Sequence, residues 1–295
     1  MLVRARFRLL PLTAAVLLAA TACSSSNNDS PTVERTKAAA PLASLLPQAI
    51  RDKGTLVVGS EVAYAPVEFF DTDGKTIVGI DPDLGKAIGE QLGVKLEFQN
   101  GTFGSLITSL SKSKRIDLIM SAMSDNKERQ ASIDFVDYFT VGTSILVKKG
   151  NPTHIATLDD FCGKTIALQK NTTQQTVAQA QAKKCQAAGK TLTILPFEHD
   201  PEALIQVKQG RAVADMNDFP VAAYTTTQSS DFEVVGDQIE AGPYGIGVRK
   251  EDTQLRDALK AAVQALIDNG DYAKILAKWK VSQGALTTAT VNAGT

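Results

Sequence analysis

From Thr55 onward the hydrophobic positions switch repeatedly between a period of two or a continuous apolar run and a period near four, which predicts strands and helices in turn. TLVVG (55–59) reads as a buried strand, and residues 60–66 as the loop after it. DTDGK (71–75) predicts a hairpin turn in which Gly74 supplies the positive φ, with 77–80 as the returning strand. Asp81-Pro82 opens a helix, the aspartate as cap and the proline at the first helical position. Leu84, Ile88 and Leu92 form its buried stripe, and Gly93 stops it. Further strands are predicted over 94–98, 116–120, 144–148, 164–169, 192–197, 212–216 and 232–235. Helices are predicted over 103–110, from Asn171-Thr172-Thr173 to 188, from Asp200-Pro201 to Gly210, after Asn217-Asp218-Phe219-Pro220, over 253–268 and over 272–280, with a short one over 158–161.

Strands alternating with helices predict an α/β fold of two doubly wound lobes. The predicted first lobe is discontinuous, 49–142 plus 240–284, and the second is 143–239. Two connecting strands near 141–144 and 236–241 form a hinge, and 285–295, which carry no pattern, read as a loose tail.

The N-terminus lies outside this periodicity. Arg4, Arg6 and Arg8 precede an apolar stretch over 9–20, the layout of a secretory signal over 1–22. Ala20-Thr21-Ala22-Cys23 resembles a bacterial lipobox, which makes Cys23 the expected lipidated residue. The polar stretch 23–48 then reads as a flexible tether. An exported chain meets an oxidising compartment, so the remaining pair, Cys162 and Cys185, is expected to form a disulfide. Of 295 residues 43% are hydrophobic and 21% charged, as in a soluble globular protein. The net charge is −1, with the signs mixed and no basic stripe, which argues against nucleic acid as a partner.

Reactive constellations are scarce. The two histidines, His154 and His199, are isolated and read as surface or hinge residues. There is no G-x-S-x-G elbow and no Cys/His spacing for zinc, so neither a catalytic residue nor a metal nor a cofactor is expected. Gly242, Gly245 and Gly247 precede a strand and make a poor phosphate loop. What the sequence has instead is loops at strand ends, where α/β proteins bind ligands. The stretch RIDLIMSAMSDNKERQASIDFVDYF (115–139) places Arg129 just past a strand end. By residue type alone, Arg129 reads as a surface ion pair with Glu128 or Asp134 ahead of an anion clamp.

From Leu56 the chain resembles the bacterial extracellular solute-binding proteins of family 3, the polar amino acid receptors of ABC importers. The resemblance rests on an ordered set: LVVGSEVAYAPVEFFDTDGKTIVGIDPDLGKAIGEQLGVKLEF, GSLITSLSKSKRIDLIMSAMSDNKERQASIDFVDYF, LDDFCGKTIALQKNTTQQT, GRAVADMNDFPVAAY and GIGVRKEDTQLRDALKAAVQALIDNGDYAKILAKW. It implies a monomeric periplasmic-binding-protein type II clamshell, anchored outside the membrane, which closes on an amino acid and delivers it to an ABC permease. Residue by residue, it implies that Arg129, Ser124 and Thr173 bind the ligand carboxylate. Asp218 and the carbonyl of Ala122 would bind the ammonium, Tyr64 and Phe103 would flank the aliphatic part, and Glu61 would face the side chain. Glu61 favours a basic amino acid or glutamine. The second-lobe loop carries Asn171 where the family usually has Gly, and GRAV replaces GR-x-D, with an acid at Asp215 instead. The same fold also serves a periplasmic dehydratase, for which Glu61 or Asp215 would be the general acid, and sensory ligand-binding domains.

Overall fold

The computed structural model describes residues 40–295. The signal stretch, Cys23 and the tether up to residue 39 lie outside the described residues. The tether ends earlier than the sequence suggests. Residues 40–48 pack on the first lobe, where Leu46 is fully buried and the amide of Leu42 donates to the carbonyl of Gln91.

The chain continues through α1 (Gln48–Lys53), β1 (Thr55–Ser60), and a small antiparallel sheet of β2 (Ala63–Tyr64), β3 (Glu68–Phe70) and β4 (Ile77–Val78). Next come α2 (Ile80–Leu92), β5 (Lys95–Asn100), α3 (Leu106–Ser111), β6 (Leu118–Ile119), α4 (Lys127–Gln130) and the long β7 (Asp134–Lys148). The second half contains β8 (Thr165–Gln169), α5 (Thr173–Ala187), β9 (Thr193–Phe197), α6 (Asp200–Lys208), β10 (Ala214–Asp218) and α7 (Phe219–Gln228). A second long strand, β11 (Phe232–Val248), returns to the first half, where α8 (Thr253–Asp268) and α9 (Asp271–Lys278) close the helical layer.

The main sheet has the order β5-β1-β6-β11-β7-β10-β8-β9. Strands β7 and β11 pair antiparallel along most of their length and serve both halves, so the 144–148 and 232–235 segments belong to longer strands than the local pattern predicts. Their shared ladder shifts register between Val235 and Ile239 and again between Ile239 and Gly242, where the chain crosses between lobes. Each half has apolar cores on both faces of its sheet. One first-lobe core joins Leu56, Leu84, Ile88 and Leu92 to Leu259 and Val263, and the other joins Leu106, Leu110 and Ile119 to Phe135. In the second lobe Ile145, Ile166 and Val177 pack on one face, and Leu146, Ala203 and Val207 on the other. These are the two doubly wound lobes expected from the alternation of elements, in the clamshell the resemblance implies.

Two local expectations fail. Asp81 does not cap α2. Gly79 occupies the cap position with φ +139, and Asp81 is buried one residue inside the helix, accepting from the Tyr138 hydroxyl at 2.7 Å and the Ala122 amide at 3.2 Å. Nor is 285–295 loose. Ala289 is fully buried, and the Asn292 side chain accepts from the Phe135 amide and donates to Asp134. Thr290 and Ala293 donate to Asp137, and the Gly294 amide donates to Asp125. A segment with little apolar periodicity is held here by hydrogen bonds to three aspartates, which period-based reading does not detect. Cys162, in the loop before β8, lies against Cys185 near the end of α5.

Candidate functional site

All eight residues put forward from the sequence line one cleft between the lobes. The turn after β6 builds its first wall. Ala122 takes a left-handed φ of +47 and presents Ser121 and Ser124 on the turn. Asn126 caps α4 by accepting from the Arg129 amide at 2.9 Å, and this fixes the direction from which the Arg129 side chain leaves. The guanidinium donates to the carbonyls of Ser124 (2.8 Å) and Asn171 (3.2 Å) and lies 5.3 Å over the Phe103 ring. Asp134, one of its candidate surface partners, pairs with Arg256 instead, and the cleft position excludes the surface ion-pair reading. Burial pulls the Arg129 guanidinium down to about 10, partly offset by Asp218, so it stays charged at neutral pH.

The second wall is the start of α5. Asn171 takes φ +63, a left-handed geometry that Asn is among the residues to tolerate. Thr172 caps the helix by accepting from the Gln175 amide, and the Thr173 hydroxyl lies 3.5 Å from that of Ser124 across the cleft. Arg129 and the first turn of a 15-residue helix thus face the same space, a setting that favours an anion.

Asp218 precedes α7 but its side chain does not cap that helix. Its carboxylate accepts instead from the Tyr64 hydroxyl (3.0 Å) and the Gln174 amide (2.8 Å), while its own backbone amide donates to Tyr64 (2.9 Å). Burial raises the Asp218 carboxyl to about 6. Tyr64 is therefore more than an apolar flank, since it ties the lobes together through Asp218.

Three acids, Glu61, Glu68 and Asp218, line the cleft against one arginine. Glu61 and Glu68 share the Ser121 hydroxyl, which accepts from the Glu61 amide at 2.8 Å and donates to Glu68 Oε1 at 3.2 Å. Glu68 Oε2 is buried with no partner. Burial raises the Glu61 carboxyl, and burial together with the charge of Asp81 raises that of Glu68 well above the usual range. Neither acid shares a hydrogen-bond partner with Arg129. Arg129 thus stands at the start of α5, while Glu61 and Glu68 belong to a separate hydrogen-bonded set around Ser121.

Sequence reading missed Glu68, Ser121, Gln169, Thr172 and Gln174 as lining residues. It also placed His199 on the surface or at the hinge. His199 crosses the cleft, with Nδ1 2.5 Å from Glu61 Oε1. Nothing local signals this, because the two are 138 residues apart. Asp215 does not reach the cleft. It is buried in the second lobe, where Asn217 bridges it to Asp200.

The profile of the bacterial extracellular solute-binding proteins, family 3, matches residues 56–282. The arginine-binding protein ArgT of Corynebacterium glutamicum is 34% identical over 251 residues, covering 84% of this chain and 81% of its own. The arginine-binding extracellular protein ArtP of Bacillus subtilis is 30% identical over 284 residues, 93% of this chain and 97% of its own. Among solved structures, an ancestral arginine-binding protein bound to arginine superposes with a TM-score of 0.71 at 35% identity, covering 77% of this chain and 98% of that one.

Proposed function

We propose arginine as the ligand of this chain, which belongs to the bacterial extracellular solute-binding proteins of family 3. It is a binding protein and not an enzyme, the extracytoplasmic component that captures an amino acid for an ABC importer. In our reading the ligand carboxylate sits on Arg129, Ser124, Thr173 and the start of α5. The ammonium sits on Asp218 and the carbonyl of Ala122, with the aliphatic stem between Tyr64 and Phe103. The guanidinium takes the Glu61 end, where Glu68 offers a second carboxyl group as acceptor.

The excess of buried acids carries this reading. Glu61 and Asp218 face a single Arg129, and burial holds the neighbouring Glu68 towards its neutral form. A zwitterion of no net charge leaves that imbalance in place, and a buried carboxylate without a partner is costly. A guanidinium supplies five donors in a planar fork that can meet two carboxyl groups at once, which an ammonium does not. The arginine-binding relatives support the same choice. Calorimetry with arginine, lysine, histidine, glutamine and glutamate tests it, with arginine expected to bind tightest. Tight glutamate binding with none of the other four would overturn it.

The finer features of the reading are a lipid anchor on Cys23, a disulfide between Cys162 and Cys185, action as a monomer and delivery to a membrane permease. The sequence around Cys23 and the proximity of the two sulfurs support the first two.

A further inference from the structure

Glu61 is 2% exposed at its side chain, and what covers it comes from the other lobe. His199 Nδ1 lies 2.5 Å from Oε1, while 39% of the His199 side chain remains exposed. The imidazole therefore has one edge on a buried carboxylate of the cleft and part of its surface in water. Its backbone is fixed just ahead of α6, where its amide donates to Glu202 Oε2 at 3.2 Å. The charged groups around it are Glu61 from the loop after β1, Glu198 paired with Lys170 beyond β8, and Asp200 and Glu202 of α6. Because Glu61 and His199 sit in different lobes, their contact belongs to the closed clamshell.

We propose that His199 is a specificity-determining residue that acts through Glu61, standing in for the ligand's side-chain cation according to whether the imidazole carries one proton or two. This rests on the reading of Glu61 as the partner of the ligand side chain. A singly protonated imidazole donates Nδ1–H and leaves the pair with one negative charge, which a guanidinium neutralises. An imidazolium, formed by taking a proton from solvent, makes the pair neutral. A second cation there meets a like charge, while an uncharged ureido or amide group finds Glu61 already compensated. The imidazole is the side chain whose charge ordinarily changes between about pH 5 and 8. The closed cleft then selects arginine while the imidazole is neutral and relaxes towards neutral side chains once it is protonated.

The test is calorimetry on the wild-type protein and on His199→Gln, which keeps a donor but does not titrate. Arginine and citrulline, its neutral isostere, are titrated at about pH 6 and about pH 8. In the wild type, the preference for arginine over citrulline should be larger at the higher pH by about tenfold, within the limit one linked proton sets over this range. In His199→Gln the preference should agree between the two pH values to within about threefold. A wild-type pH dependence that survives in His199→Gln would assign the effect to Glu61 and Glu68 alone and overturn the proposal, as would a wild-type preference that does not move. Failure of arginine to bind wild-type protein at either pH is a different result, and it would overturn the arginine reading itself.

Discussion

Replacing Arg129 with alanine removes the one cation that lines the cleft. Two contacts to the protein, to the carbonyls of Ser124 and Asn171, occupy only part of the five-donor fork and leave N–H groups for a ligand carboxylate. In the alanine variant that carboxylate enters the same closed cleft with its counter-charge gone. Removing one partner of a buried charge pair costs about 3–5 kcal/mol. At about 1.4 kcal/mol per factor of ten, the dissociation constant should rise between about 100- and 4,000-fold. Arg129→Lys restores the charge but not the fork or the stacking on Phe103, and should fall between the two. The fold should lose little, because the guanidinium makes two hydrogen bonds worth about 1 kcal/mol each. Calorimetry with arginine, with thermal unfolding as the control for folding, gives the comparison. An Arg129→Ala protein that folds and binds within about tenfold of wild type would mean that the carboxylate lies elsewhere and that the orientation of the ligand argued above is wrong.

Two further predictions concern stability. Asp81, Asp137 and Asp218 are raised to about 6 and Asp200 to about 7, in each case chiefly by burial, above the roughly 3.9 of an unfolded aspartate. Between about pH 4 and 7 the folded state therefore holds more protons at these sites than the unfolded chain, so the unliganded protein should gain stability as pH falls from about 7.5 to about 5.5. The stabilisation conferred by arginine should shrink over the same interval, because its ammonium needs an ionised Asp218. Melting temperatures with and without arginine at the two pH values check both signs, and an unliganded melting point that drops in acid would contradict the first. Ending the chain after Leu286 removes the buried Ala289 and the hydrogen bonds made to Asp134, Asp137 and Asp125 by 290–294. The melting point should fall by several degrees, on the order of the shift that about 2 kcal/mol produces in a chain of this size. An unchanged melting point would restore the view of this tail as loose.

The alternation of periods was enough to predict a doubly wound α/β architecture, because each core here is made by stripes such as Leu84, Ile88 and Leu92 that are local in sequence. The cleft was legible through resemblance, since Arg129, Ser124 and Thr173 sit at strand ends and helix starts with ordered motifs around them. What escaped were relations between distant residues. Asp81-Pro82 has the local form of a helix cap, yet the carboxylate is used by Tyr138, which is 57 residues away. His199 appeared isolated because its partner belongs to the other lobe. Glu68 lies in a short strand of a small sheet, and only the packing of that sheet against the turn after β6 brings it to Ser121. Polar pairing depends on three-dimensional distance and leaves no periodic trace.

The pairing of β7 with β11 sets the mechanics of the molecule. Two adjacent strands joined by a common ladder behave as a ribbon, compliant to bending out of its plane and stiff to shear, because sliding one strand past the other breaks every rung together. The ribbon's weak section is marked by the slips at Val235–Ile239 and Ile239–Gly242 and by Glu240 at φ +47. Flexure concentrated there gives the lobes essentially one coordinate of travel. The sites on either side are then geared to each other, so that Arg129 meeting Asn171, Tyr64 meeting Asp218 and Glu61 meeting His199 are one event. A ligand that engages any one of these pairs biases the other two without touching them.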